Sequence, residues 1–194
     1  TPNNGDLIVV NSGTIDPYVL HWGVKRMRYI KTSKLHPVLT AKSQGLYADR
    51  RIAQAKTPKI LIANMTKRLE AVYDEKGVIL AAKSVSILFP NCNPWLLLAV
   101  LNSEFMSKHY EERFHGRKLA GGYLQVAPAA LRQLPIPTGV ATQILVRLEK
   151  VGRQLISAKA DLQSRSGHAH TLARRTILGL EAAIESDVIG LYSP

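Results

Sequence analysis

Few side chains in this 194-residue sequence are spaced for catalysis. His168 and His170 stand one residue apart, without nearby cysteine and with few acids, which fits a solvated linker better than a metal site. Glu111-Glu112 falls on the polar side of an expected helix, so an exposed face explains it better than a paired-carboxylate acid–base centre. Cys92, the sole cysteine, sits between Asn91 and Asn93 with no base in view and reads as a quiet buried thiol. No phosphate-cradling loop of the G-x-G-x-x-G or G-x-x-x-x-G-K-[ST] kind is present. No catalytic, cofactor-binding or metal-ligating residue is therefore expected in this chain.

The chemistry that the sequence does support is binding. Lys25, Arg26, Arg28, Lys31, Lys34, Lys42, Arg50, Arg51, Lys56, Lys59, Lys67 and Arg68 lie between Val24 and Arg68 with one acid, Asp49, so this segment carries +11 of the formal net charge of +12. Such a concentration makes a directional field whose natural counterpart is a polyanion. A solubilising surface is the alternative, but the acids that intersperse such a face are missing here. Trp22 and Tyr29 flank Lys25, Arg26 and Arg28, and Tyr47 precedes Arg50 and Arg51, a mixture suited to phosphate contacts beside base contacts. Ordinary core packing explains Trp22 and Tyr29 equally well. The candidate contact set is Trp22, Lys25, Arg26, Arg28, Tyr29, Lys31, Lys34, Lys42, Arg50, Arg51, Lys59, Lys67 and Arg68. Arg26 and Arg28 are expected at base edges, and Lys59 and Lys67, at the margins of a strand, at phosphates.

The elements that must position these residues follow from pattern. Leu7 to Val10 reads as a strand ending at the Asn11-Ser12-Gly13 turn. Val24 to Lys31 is expected to be extended, and Tyr47 to Ala55 to form one or two helical turns. Lys59 to Ala63, Leu69 to Tyr73, Val78 to Ala82 and Ser84 to Phe89 read as an antiparallel meander turning at Asp74 and Gly77. Pro94 opens a central helix reaching Phe114, and Tyr123 to Val126 is a further strand. Ile144, Leu148, Val151, Leu155, Ala158 and Leu162 lay one apolar stripe down a helix. Ala173, Ile177, Leu180, Ile184, Val188 and Leu191 repeat it after a break at Ser164 to His170. The expected class is α+β: antiparallel strands, a central helix and a C-terminal antiparallel helical hairpin, with residues 1–137 as the recognition part and 138–194 as the hairpin packed on it.

At 46% hydrophobic and 21% charged residues the chain can bury a core. No stretch approaches the ~20 apolar residues of a membrane span. One cysteine and no secretory signal suit a cytoplasmic setting. The polar start at Thr1 reads as a piece of something longer.

The order of several segments is itself a signature. Pro58 to Met65 is followed by Ala71-Val72-Tyr73-Asp74 and Gly77, then Leu97-Leu98-Ala99-Val100-Leu101-Asn102-Ser103. Gly122-Tyr123-Leu124 comes next, then Leu131 to Pro137 ending in Leu-Pro-Ile-Pro, and last Leu180 to Ile184 and Leu191-Tyr192. From about Ser12 to Tyr192 this resembles the C-terminal target-recognition (specificity) domain of TaqI-like adenine-N6 DNA methyltransferases, including the Eco57I-like restriction-modification enzymes. The resemblance implies double-stranded DNA as partner. It also implies a prokaryotic, cytoplasmic enzyme whose upstream catalytic domain binds S-adenosylmethionine and methylates a flipped adenine. Asn93-Pro94-Trp95 lacks the second proline of that catalytic domain's base-holding loop and reads as a helix start. Composition alone leaves two other readings open: a basic RNA-binding module, or a helical protein-interaction module with a solubilising surface.

Overall fold

The computed structural model describes residues 2–29, 31–162 and 166–193; the side chains of Tyr29 and Ala120 lie outside the described residues. Strand β1 (Leu7–Val10) is followed by two small hairpins, β2 (Ile15–Asp16) with β3 (Val19–Leu20) and β4 (Met27–Tyr29) with β5 (Thr32–Lys34), and then by β6 (Val38–Leu39). Helix α1 (Asp49–Lys56) leads into β7 (Lys59–Ala63), β8 (Met65–Thr66), β9 (Ala71–Asp74), β10 (Ile79–Ala81) and β11 (Val85–Leu88). Helices α2 (Pro94–Asn102) and α3 (Glu104–Arg113), strand β12 (Leu124–Gln125) and the short α4 (Pro128–Leu131) precede the long pair α5 (Thr142–Leu162) and α6 (Gly167–Tyr192). The class is α+β, as expected.

Strand β7 is the centre. It pairs antiparallel with β9 on one edge and β11 on the other. Ile60 and Ile62 point into the main core under α2, while Leu61 and Ala63 point into a second core with Val10, Ile15, Val72 and Ile79. Burial on both faces is why its sequence runs apolar without alternation. The expected meander is corrected here. Strand β10 leaves the β7 sheet and pairs parallel with β1, which pairs antiparallel with β6 on its other side. The strand expected from Leu69 begins at Ala71, because the Leu69 amide is taken by the Ser107 hydroxyl at 3.1 Å.

The expected central helix is two helices. Asn93 starts α2 by accepting hydrogen bonds from the Trp95 and Leu96 amides, with Pro94 at the first helical position. Ser103 then turns extended, and its Oγ accepts the Met106 amide at 3.0 Å, which caps α3. Beside it the Asn102 side chain pairs with both backbone groups of Ala71, at 2.8 and 3.0 Å, and so fastens α2 to β9. Helix α2 is apolar all round because sheet, α5 and α6 enclose it.

The two stripes form the expected hairpin: Leu148 and Leu155 of α5 and Ile177, Ile184 and Val188 of α6 are buried in the core that also holds Ile60 and Leu98. Glu185 of α6 reaches α3 and accepts the Glu104 and Phe105 amides at 2.8 Å each. His168 and His170, expected in a linker, lie in the first turns of α6, which begins at Gly167; residues 163–165 of that break lie outside the described residues. No helix among the described residues is long and apolar enough to cross a membrane.

Candidate nucleic-acid interface

Three cationic elements meet at the C-terminal end of β1. The Asn11 side-chain amide donates to the Arg28 carbonyl at 3.1 Å and so holds the β4–β5 hairpin there. The next residue, Ser12, accepts the Asn64 amide on its hydroxyl at 3.1 Å, which brings in β8 and the Lys67 that follows it. Arg51 of α1 donates from Nη2 to the Ala81 carbonyl at 2.9 Å, and Ala81 is the cross-strand partner of Val10. Hydrogen bonds around one strand end therefore draw the β4–β5 hairpin, the start of β8 and α1 together.

The hairpin is the most exposed of the three. Its register sets Met27 opposite Lys34 and Arg28 opposite Ser33. Met27 is buried, which anchors one face, and Arg26 and Arg28 on the other face are exposed, as are Lys31 and Lys34. Residues 24–36 contain five cations and no acid. Lys25 is exposed but engaged, with Nζ 2.7 Å from Asp16 Oδ2, where His21 Nε2 also lies at 2.6 Å. Burial pushes the Asp16 carboxyl up, and the hydrogen bonds from Lys25 and His21 outweigh it and hold it below the ordinary carboxylate value. Trp22 donates Nε1 to the Pro37 carbonyl at 2.9 Å and meets the His36 ring edge-on at 5.1 Å, so it braces the hairpin's base. The Tyr29 side chain lies outside the described residues. Lys42 and Arg50 are exposed, and Arg51 is half-buried.

One expected contact is corrected. Lys59 cannot reach a phosphate: its side chain is 0% exposed and pairs with Asp74 at 2.5 Å. The reason is that β7 is an interior strand, so its first residue lies under α1 rather than at a sheet margin. Arg68 is partly committed to the fold, donating from Nη2 to the Asn102 carbonyl, with its Nη1 at 4.0 Å from Glu104.

The strand expected over Tyr123 to Val126 is present as β12, but its place beside the cations was missed. Strand β12 pairs with β8 in the register Leu124↔Thr66 and Gln125↔Met65, which brings Tyr123 alongside Lys67. The Lys67 ammonium lies 5.8 Å from the Tyr123 ring centroid, and both side chains are exposed. The loop before them carries His115, Arg117 and Lys118, with Lys118 paired to Glu111. It turns through Gly121 and Gly122, both at φ 78, a left-handed conformation that favours glycine. The signal was available as Arg113, His115, Arg117 and Lys118 in six residues with an aromatic beyond.

Glu70 stands near this surface. Burial, with Asp16 nearby, pushes its carboxyl up to about 7, against the pull of Arg68 and Lys25. Cys92 is partly buried and burial raises its thiol. No cluster of three or more metal-ligating side chains occurs among the described residues.

An α+β domain that displays cationic, aromatic-flanked loops from the end of one strand is built for recognition at its surface. The chain belongs to the family of TaqI-like C-terminal specificity domains, whose model matches residues 10–136. No curated protein matches the chain.

Proposed function

We propose that this chain selects the target sequence on duplex DNA for an adenine-N6 methyltransferase or a fused restriction-modification enzyme. The observation that carries the reading is the gathering of Arg28, Arg51 and Lys67 around the end of β1, in a chain of the TaqI-like specificity family. The hairpin's exposed cations supply attraction to phosphates, which any sequence offers. Arg28, on a strand whose other face is anchored by Met27, and Arg26, just before that strand, are the residues that meet base edges, where a guanidinium pairs bidentately with guanine. Lys31, Lys34, Lys42, Arg50 and Lys67 meet the backbone. Methyl transfer and S-adenosylmethionine belong to a catalytic domain that the same polypeptide supplies, and the setting is a prokaryotic cytoplasm.

The test is fluorescence anisotropy of the chain with a labelled duplex over a salt series. Contact with ~6 phosphates gives a slope of log affinity against log salt of about −5. A flat response sinks the electrostatic argument, and a preference for structured RNA in competition replaces DNA with RNA. Incubation with labelled S-adenosylmethionine and DNA should leave the DNA unlabelled.

A further inference from the structure

Leu46 is the most exposed large apolar side chain among the described residues, at 85%, and Tyr47 beside it is exposed too. A single surface leucine needs no explanation. This one differs in its support and in its company. It ends a 3₁₀ segment, Ala41–Leu46, that is pinned from behind: buried Gln44 donates from Nε2 to the Gly5 carbonyl at 2.7 Å, and the Ala41 amide donates to Asp6 at 2.9 Å. On the far side the Tyr47 amide closes on the Gln44 carbonyl at 3.0 Å, and α1 follows, tied down by Arg51. Nothing crowds the tip, since a Cβ built on Gly45 would meet no atom within 4 Å. Lys42 stands before it and Arg50 and Arg51 after it, with Asp49 the only acid between.

We propose that Leu46 is an apolar wedge that enters a base step of bound duplex DNA, with Tyr47 packing against the opened step. The inference rests on the DNA reading above. An exposed leucine on a pinned backbone between cations matches what opening a step requires. The cations hold the flanking phosphates, and the side chain takes the place of a stacked neighbour, kinking the duplex by roughly 20–90°. The kink makes recognition depend on how readily the step deforms, so Leu46 contributes specificity without a hydrogen bond to any base.

The experiment first selects a preferred duplex from a randomised pool with this 194-residue chain. That duplex is then labelled with dyes at both ends, and energy transfer reports its bending by the wild-type chain, Leu46→Ala, Leu46→Lys and the control Leu172→Ala. The wild-type and control chains should raise the transfer. Leu46→Ala should lose most of the rise and bind about tenfold more weakly at an unchanged salt slope. Leu46→Lys should bind through its added charge without bending. Because the side chain is exposed, the thermal midpoints of the Leu46 variants should match wild type. Binding without bending, or equal bending by Leu46→Ala, overturns the wedge and leaves the DNA reading intact. A pool from which nothing is retained overturns both.

Discussion

Lys59 and Asp74 face each other across the β7–β9 ladder as an ion pair shut off from solvent, Nζ to Oδ2 at 2.5 Å. Lys59 also donates to the Ala55 carbonyl in the last turn of α1, at 2.7 Å, and Asp74 accepts the Val78 and Ile79 amides at the turn into β10. Burial lowers the Lys59 ammonium pKa, and Asp74 works against that shift. One pair thus joins α1, β7, β9 and β10.

Removing Asp74 strands a buried cation. Asp74→Ala should destabilise by about 3–5 kcal/mol in urea unfolding. Lys59→Met should be milder, since Asp74 keeps two amide donors. Its DNA salt slope should equal wild type; a slope reduced by about one unit would return Lys59 to the interface.

Within the exposed set, arginine and lysine variants should separate. Arg28→Ala should cost roughly 1–3 kcal/mol on the preferred duplex and relax the choice at one base pair. Lys31→Ala and Lys67→Ala should weaken all duplexes alike and lower the salt slope by about one each. Selection from a randomised pool with each variant measures both effects. Sequence preference altered by the lysines and untouched by the arginine would reverse the assignment.

Glu70 should give the fold a pH dependence of unusual sign. Its folded pKa of about 7 lies above the ordinary glutamate value. Its contribution to stability is therefore full below that ordinary value and fades as pH rises through about 7. Glu70→Gln should raise the thermal midpoint above about pH 8, by about 2–4 °C for each kcal/mol relieved, and leave it unchanged below about pH 5. Equal effects at both ends would show that the carboxylate is not strained in the fold.

Two helix glycines should respond oppositely to alanine. A Cβ on Gly152 of α5 would lie 2.9 Å from the Trp95 ring, which Arg153 covers at 4.6 Å and Tyr73 meets edge-on at 5.6 Å. That overlap costs about 1–3 kcal/mol, more than the ~1 kcal/mol that alanine gains as a helix former. Gly179 of α6 has nothing within 4 Å of the same position, so Gly179→Ala should stabilise by ~1 kcal/mol. Calorimetric midpoints of the two variants decide it.

Local chemistry by itself determined much of this protein. A branched apolar run makes β7 a strand wherever it is put, Asn93-Pro94 starts a helix through its own side chain and ring, and the three-and-four spacing of Leu148 and Leu155 commits α5 to one buried face. The charge between Val24 and Arg68 is likewise a property of the chain, and it pointed to a polyanion before any contact was known. Tertiary structure decided which cations can use it. Lys59 and Lys67 are alike as residues at strand margins, yet one is enclosed by α1 and β9 and the other stands over Tyr123. The break at Ser103 depends on Asn102 finding Ala71, 31 residues away. The departure of β10 to pair with β1 depends on an edge formed about 70 residues earlier. Burial, strand partner and ring contact are set by segments far apart in sequence, and the hydrophobic period of a single segment contains no record of them.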